Sequence, residues 1–98
     1  MNKDLKNYLE IINKISGVLQ DSFKVKKIAI FGSTSRGEHK SKSDIDIIVE
    51  FIEPIGLFEF VRLEDYLGKK LGKKVDLTTK QALNPTIKKV VLKEAVYA

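Results

Sequence analysis

With 98 residues, 43% of them apolar and 32% charged, the chain suits one soluble globular domain, residues 1–98, around a single hydrophobic core. No apolar run approaches the roughly 18 residues of a membrane helix, cysteine is absent, and Met1-Asn2-Lys3-Asp4 lacks a leader pattern, so disulfides, thiolate-held metals and membrane insertion are excluded and a cytoplasmic protein is expected. The net charge of +5 comes from lysine, since only Arg36 and Arg62 are arginine, and it permits an anionic partner without requiring one.

Leu5, Leu9, Ile12, Ile15 and Leu19 recur at helical spacing, with Tyr8, Ile11 and Val18 widening the stripe, which predicts an amphipathic helix over about residues 3–22. Val25 to Phe31 is rich in β-branched and aromatic residues and stops at Gly32, as a strand would. Residues 33–37 read as a short helical turn and Glu38 to Ser43 as a polar loop. Asp44 to Phe51 is a second strand, ended by Pro54 and Gly56. Phe60, Leu63, Leu67 and Leu71 predict a helix over about 57–70, with Gly68 weakening its last turn and Gly72 stopping it. Lys74 to Leu77 forms a third strand, and Thr78 with Gln81 resembles a capping box. Asn84-Pro85 then opens a last helix carrying Ile87, Val90 and Val91. The order predicts a small mixed α/β (α+β) sheet with helices packed on one side.

Three features carry chemistry. Gly32-Ser33 ends a strand in a tight turn whose backbone amides and Ser33 hydroxyl suit a phosphate, with Arg36 able to clamp a phosphate oxygen or brace the loop. Asp44 and Asp46 are two residues apart in an apolar strand, so their side chains share a face, with Cα atoms about 6.5 Å apart. Such a pair is either the solvent side of an edge strand, near Lys40 or Lys42, or a site for a hard cation such as Mg²⁺. Asp76, in the apolar run Val75-Asp76-Leu77, favours the second reading: a neighbouring strand would bring it beside the pair. Three carboxylates would hold two Mg²⁺ ions, with Asp76 as base or orienting group for a nucleophile. His39 is a lone loop histidine with no assigned role, and Tyr8, Tyr66 and Tyr97 read as core or rim. The lysine clusters at Lys24, Lys26 and Lys27, at Lys69, Lys70, Lys73 and Lys74, and at Lys88 and Lys89 leave nucleic acid open, but they lack interleaved aromatics and a solvated surface is favoured.

Gly32-Ser33, ten residues, then Asp44-Ile45-Asp46 spells G-S-x10-D-x-D. The chain thereby resembles the nucleotidyltransferase superfamily that includes DNA polymerase beta, and especially its minimal nucleotidyltransferase branch, which supplies the antitoxin of HEPN/MNT toxin–antitoxin pairs. The resemblance runs from the leading helix through Arg36-Gly37 to Val75-Asp76-Leu77-Thr78. It implies the nucleotidyltransferase fold, nucleotide phosphates at Gly32 and Ser33, Mg²⁺ at Asp44 and Asp46, and Asp76 completing the triad. Family members often carry alanine where this chain has Ser35, a small-for-small change. No second domain is present to hold a base, primer or antibiotic, so the acceptor is expected on another protein. The resemblance then implies transfer of AMP from ATP to a tyrosine hydroxyl of a cognate HEPN toxin, silencing it. An antitoxin acting by binding alone, or transfer to a small-molecule or RNA hydroxyl, are the alternatives.

Overall fold

The computed structural model describes residues 3–35 and 44–98. The N-terminal apolar stripe forms helix α1 (Lys3–Lys14), burying Leu5, Leu9 and Ile12. The single helix expected over residues 3–22 is interrupted: Ile15 leaves helical geometry at φ −100° and ψ 11°, and α2 (Ser16–Phe23) follows. Ser16 and Gly17 are weak helix formers, and no atom lies within 4 Å of where a Gly17 Cβ would stand, while Ile15 itself packs against the core.

Strands β1 (Val25–Phe31), β2 (Ile45–Phe51), β3 (Val75–Thr79) and β4 (Val96–Tyr97) form a mixed sheet in the order β3-β2-β1-β4. β1 runs antiparallel to β2 and β4, whereas β2 and β3 are parallel and joined by the crossover helix α4 (Leu57–Leu71). Gly72, at φ 71°, ends α4 where expected; its N–H and that of Lys73 reach the Gly68 carbonyl at 2.9 and 3.2 Å. Gly68 suits this wrap, because a Cβ there would stand 3.2 Å from the Lys73 carbonyl oxygen.

Two details differ from the sequence-based expectation near the C-terminal side. β3 runs on to Thr79, paired with Val49, so the cap is Thr79 rather than Thr78: its Oγ1 accepts the Ala82 N–H at 3.3 Å across the 3₁₀ turn Lys80–Ala82. β4 was not legible, since two residues carry no alternation; it pairs Tyr97 with Ala29 and Val96 with Ile30. The expected Asn84 cap is present, its Oδ1 accepting the Ile87 N–H at 2.9 Å, with Pro85 opening helix α5 (Pro85–Glu94).

The sheet's two faces are unequal. Ile28, Ile30, Ile45, Ile47, Val49, Val75 and Leu77 face the main core, filled by α1, α2 and α4 through residues such as Ile12, Leu19, Leu63 and Leu67. Each such burial is worth about 1.5–3 kcal/mol. Most helices thus lie on one side, as expected, but α5 takes the other face, where Val91 covers Ala29 and Ile48 with Phe31, Leu83 and Leu92 around them. That cover is small, and it leaves part of the second face open.

Candidate active site

The open part of the second face is where the aspartates lie. Along β2, Asp46 sits between the buried Ile45 and Ile47, so alternation turns it away from the main core, where it is half-buried. Asp76 stands likewise between the buried Val75 and Leu77 and is exposed. Parallel pairing sets Asp46 directly opposite Asp76, with Cα atoms about 4.8 Å apart. Asp44, exposed, precedes β2 by one residue and falls on the same face as Asp46 by the two-residue period. The Ile45 N–H donates to the Lys74 carbonyl at 3.0 Å, which extends the register to the start of both strands. A neighbouring strand therefore brings Asp76 beside Asp46, as the sequence suggested.

On the other flank of Asp46 lies the glycine turn. Phe31, the last residue of β1, pairs with Asp46, and the four-residue helix α3 (Gly32–Ser35) follows at once. Gly32 adopts φ +72°, closed to most side chains, and a Cβ on it would collide with the Asp46 carboxylate. The sequence reading gave this glycine a phosphate role only; the structure adds that its bare Cα makes room for Asp46. Ser35 Oγ donates to the Gly32 carbonyl at 2.9 Å, closing the turn, and Thr34 is wholly buried beneath it. Ser33 lies on α3, while Arg36, His39, the Lys40 and Lys42 pairing and the polar loop at 38–43 fall outside the described residues.

One contributor left no signal in the sequence. Glu64 of α4 reaches the outer edge of β3, its Oε2 accepting the Leu77 N–H at 3.2 Å. That N–H belongs to the peptide joining Asp76 to Leu77, so Glu64 holds the strand at the point where it presents Asp76. It also occupies a donor on an otherwise open sheet edge. Nothing in the helical pattern of α4 distinguishes Glu64 from its charged neighbours.

The donors at this site are all carboxylate oxygens, the chemistry of a hard dication. Among the described residues no three histidine or carboxylate side chains converge closely enough to enclose a metal. Mg²⁺ does not need such a cage: it is held by one or two carboxylates and completes its octahedron with water and substrate phosphate oxygens. An adjacent pair, Asp46 and Asp76, with Asp44 at the head of the same face, fits a cation that arrives with a nucleotide.

The glycine turn, the in-register aspartates and the parallel β2–β3 pair define a class. Residues 12–98 match the nucleotidyltransferase domain family, and the chain belongs to it. Within that family the chain is 46% identical over 96 residues to a Methanocaldococcus jannaschii protein assigned as a protein adenylyltransferase, the match covering 97% of this chain and 98% of that one. It is 48% identical over 79 residues to the protein adenylyltransferase MntA of Thermococcus cleftensis, covering 81% and 80%. Two solved structures share the fold. A toxin–antitoxin crystal structure with AMP-PNP superposes with a TM-score of 0.72 at 29% identity, over 87% of this chain and 69% of that one. A tri-AMPylated Shewanella oneidensis HEPN toxin in complex with MNT antitoxin gives 0.66 at 25%, over 92% and 70%.

Proposed function

We propose that this chain is a Mg²⁺-dependent protein adenylyltransferase acting as an antitoxin: it transfers AMP from ATP to a tyrosine hydroxyl of a cognate HEPN-type toxin and so neutralises it. The observation that carries the reading is the register of Asp46 with Asp76 beside the Gly32 turn. It is supported by relatives named as protein adenylyltransferases at 46% and 48% identity, and by a shared fold with a complex containing an AMPylated HEPN toxin. A cytoplasmic reaction, where ATP is at hand, belongs to this reading, and no helix among the described residues is long and apolar enough to cross a membrane.

In this reading Asp44, Asp46 and Asp76 would hold Mg²⁺, two ions when the nucleotide is in place. When bound, Mg²⁺ supplies neutralisation of the phosphate charge and lowers the pKa of the acceptor hydroxyl. The chain's own residues do the rest. The Gly32–Ser33 turn binds the triphosphate through its amides, with the Ser33 hydroxyl and Arg36 as further donors. Asp76 orients the acceptor hydroxyl and takes its proton on a carboxylate oxygen. The acceptor oxygen then bonds to the α-phosphorus as the bond from that phosphorus to the pyrophosphate oxygen breaks, and pyrophosphate leaves.

The test is a labelling reaction: the purified chain, Mg²⁺, ATP radiolabelled at the α-phosphate, and a HEPN-type protein from the same organism. Label is expected on the partner protein and is lost when EDTA is added. A partner neutralised without any label would mean an antitoxin acting by binding alone, and label confined to RNA or a small hydroxyl compound would make the chain a different transferase. Either outcome overturns the reading.

A further inference from the structure

α5 does more than cover part of the sheet's second face, because one of its flanks is apolar, exposed and turned toward the acids. Val91 rests on Ala29 and Ile48. With about 3.6 residues per turn, that contact sends Leu92 to one flank of the helix and Ile87, Val90 and Glu94 to the other. Leu92 borders a crevice with Lys27, Glu50 and Tyr97, which marks its flank as the one toward the C-terminal end of β2. Ile87 and Val90 therefore face the N-terminal end, where Asp46 lies opposite Asp76. α5 also touches α3, the helix of the glycine turn, so this flank and the turn border the same open part of the face.

Ile87 is 49% exposed and Val90 55%, and their three-residue spacing on a helix sets them side by side with Cβ atoms about 5–6 Å apart. Glu94, the charged member of the flank, is partly buried and already engaged. The other large exposed apolar side chains among the described residues lie elsewhere: on α2, on the β2–α4 connection and the start of α4, and on β4 beside Leu92. Ile48, under α5, is two residues from Asp46 on the same face, which sets the ledge roughly 6.5 Å along the strand from the acid row. A ribose spans a gap of that order between an α-phosphate and its base.

We propose that Ile87 and Val90 form the seat for the nucleobase of the bound nucleotide, an inference that rests on the nucleotidyl-transfer reading above. Size commits the occupant. Two half-exposed aliphatic side chains fall far short of the roughly 800 Å² that each partner of a stable protein interface buries. They match one face of a purine, whose two fused rings bridge the spacing between them, whereas a single pyrimidine ring covers it only in part. The contact is burial of apolar surface, which gives affinity without reading the donors and acceptors on a base edge. Such a seat favours purines over pyrimidines by area and separates adenine from guanine poorly.

Calorimetry with Mg²⁺ and no acceptor protein tests this without turnover. The double variant Ile87→Ala, Val90→Ala is expected to weaken AMP-PNP binding about five- to tenfold, and to leave the binding of tripolyphosphate, which carries no base, within about twofold. The wild-type chain is expected to bind AMP-PNP and its guanosine counterpart within about threefold of each other and the cytidine counterpart several-fold more weakly, a preference the double variant loses. Ile87→Phe, which offers a ring to stack on, is expected to tighten AMP-PNP binding several-fold. Unchanged AMP-PNP affinity in the alanine variant overturns the proposal. So does an equal loss of tripolyphosphate affinity, which would mean a disturbed phosphate turn. Unchanged nucleotide affinity with a raised KM for the HEPN-type partner also overturns it, by making the flank an acceptor contact. A wild-type chain that binds AMP-PNP with this dependence on the base yet labels no protein would support the seat and count against the transferase reading.

Discussion

The two faces of β2 carry neighbouring residues to opposite ends of protein chemistry. Ile45, Ile47 and Val49 point into the main core, where the first two are fully enclosed, whereas Asp46 and Glu50 point the other way and stay partly exposed. The difference lies in what covers each face. α1, α2 and α4 fill one side, while α5 covers the other only around Ala29 and Ile48. A strand that is apolar on both sides at its middle is thus left bare at its N-terminal end, beside the equally bare start of β3. One face supplies the stability that lets the other hold carboxylates close together against their mutual repulsion.

That contrast can be broken or sharpened by substitution. The largest effect is expected from the pair Asp46→Asn and Ile47→Ala, one residue apart. Asp46→Asn keeps shape and removes charge, so AMP transfer should fall by about 10²- to 10³-fold or more while the urea midpoint stays near wild type. Ile47→Ala should do the reverse, losing about 2–5 kcal/mol in urea unfolding and retaining transfer per folded molecule. If Asp46→Asn unfolds the protein, or Ile47→Ala abolishes transfer without loss of stability, the division of labour between the faces is wrong.

Gly32→Ala comes next because it touches both sides of the comparison. The methyl group meets the left-handed φ and the Asp46 carboxylate together, so a stability cost of roughly 1–2 kcal/mol should accompany a loss of transfer larger than that instability explains. Circular dichroism melts set against initial rates would separate the two. The smallest effect is expected at Glu64. Glu64→Ala strips the acceptor from the Leu77 N–H and should cost about 1 kcal/mol, with Glu64→Gln recovering most of it because its side-chain carbonyl can still accept. Equal losses in the two variants would show that charge, and not the hydrogen bond, is what matters there.

Much of this was legible beforehand because it rests on local rules. β1 falls where the β-branched run placed it, Gly72 and the Asn84-Pro85 pair end and begin helices as their chemistry requires, and Asp46 lies between the Gly32 turn and Asp76 as the spacing led one to expect. What escaped depends on partners distant in sequence. The break at Ile15 turns α1 and α2 separately onto the same core, and β4 depends on the edge that β1 offers it. The seat that Gly32 makes for Asp46, and the brace that Glu64 gives β3, are meetings of residues 14 and 13 positions apart that no periodicity records.

The parallel pairing of β2 with β3 also puts the site's assembly late in the life of the chain. Asp46 and Asp76 are separated by the whole crossover through α4, so a growing polypeptide carries the glycine turn and the first two acids well before it can align the third. Closing that long loop is slow compared with forming a hairpin such as β1–β2. Until it closes there is no aligned pair of acids, and a truncated or half-folded copy has an incomplete centre. Competence at this site is therefore a signature of finished folding, and its appearance during refolding should lag the recovery of helical signal.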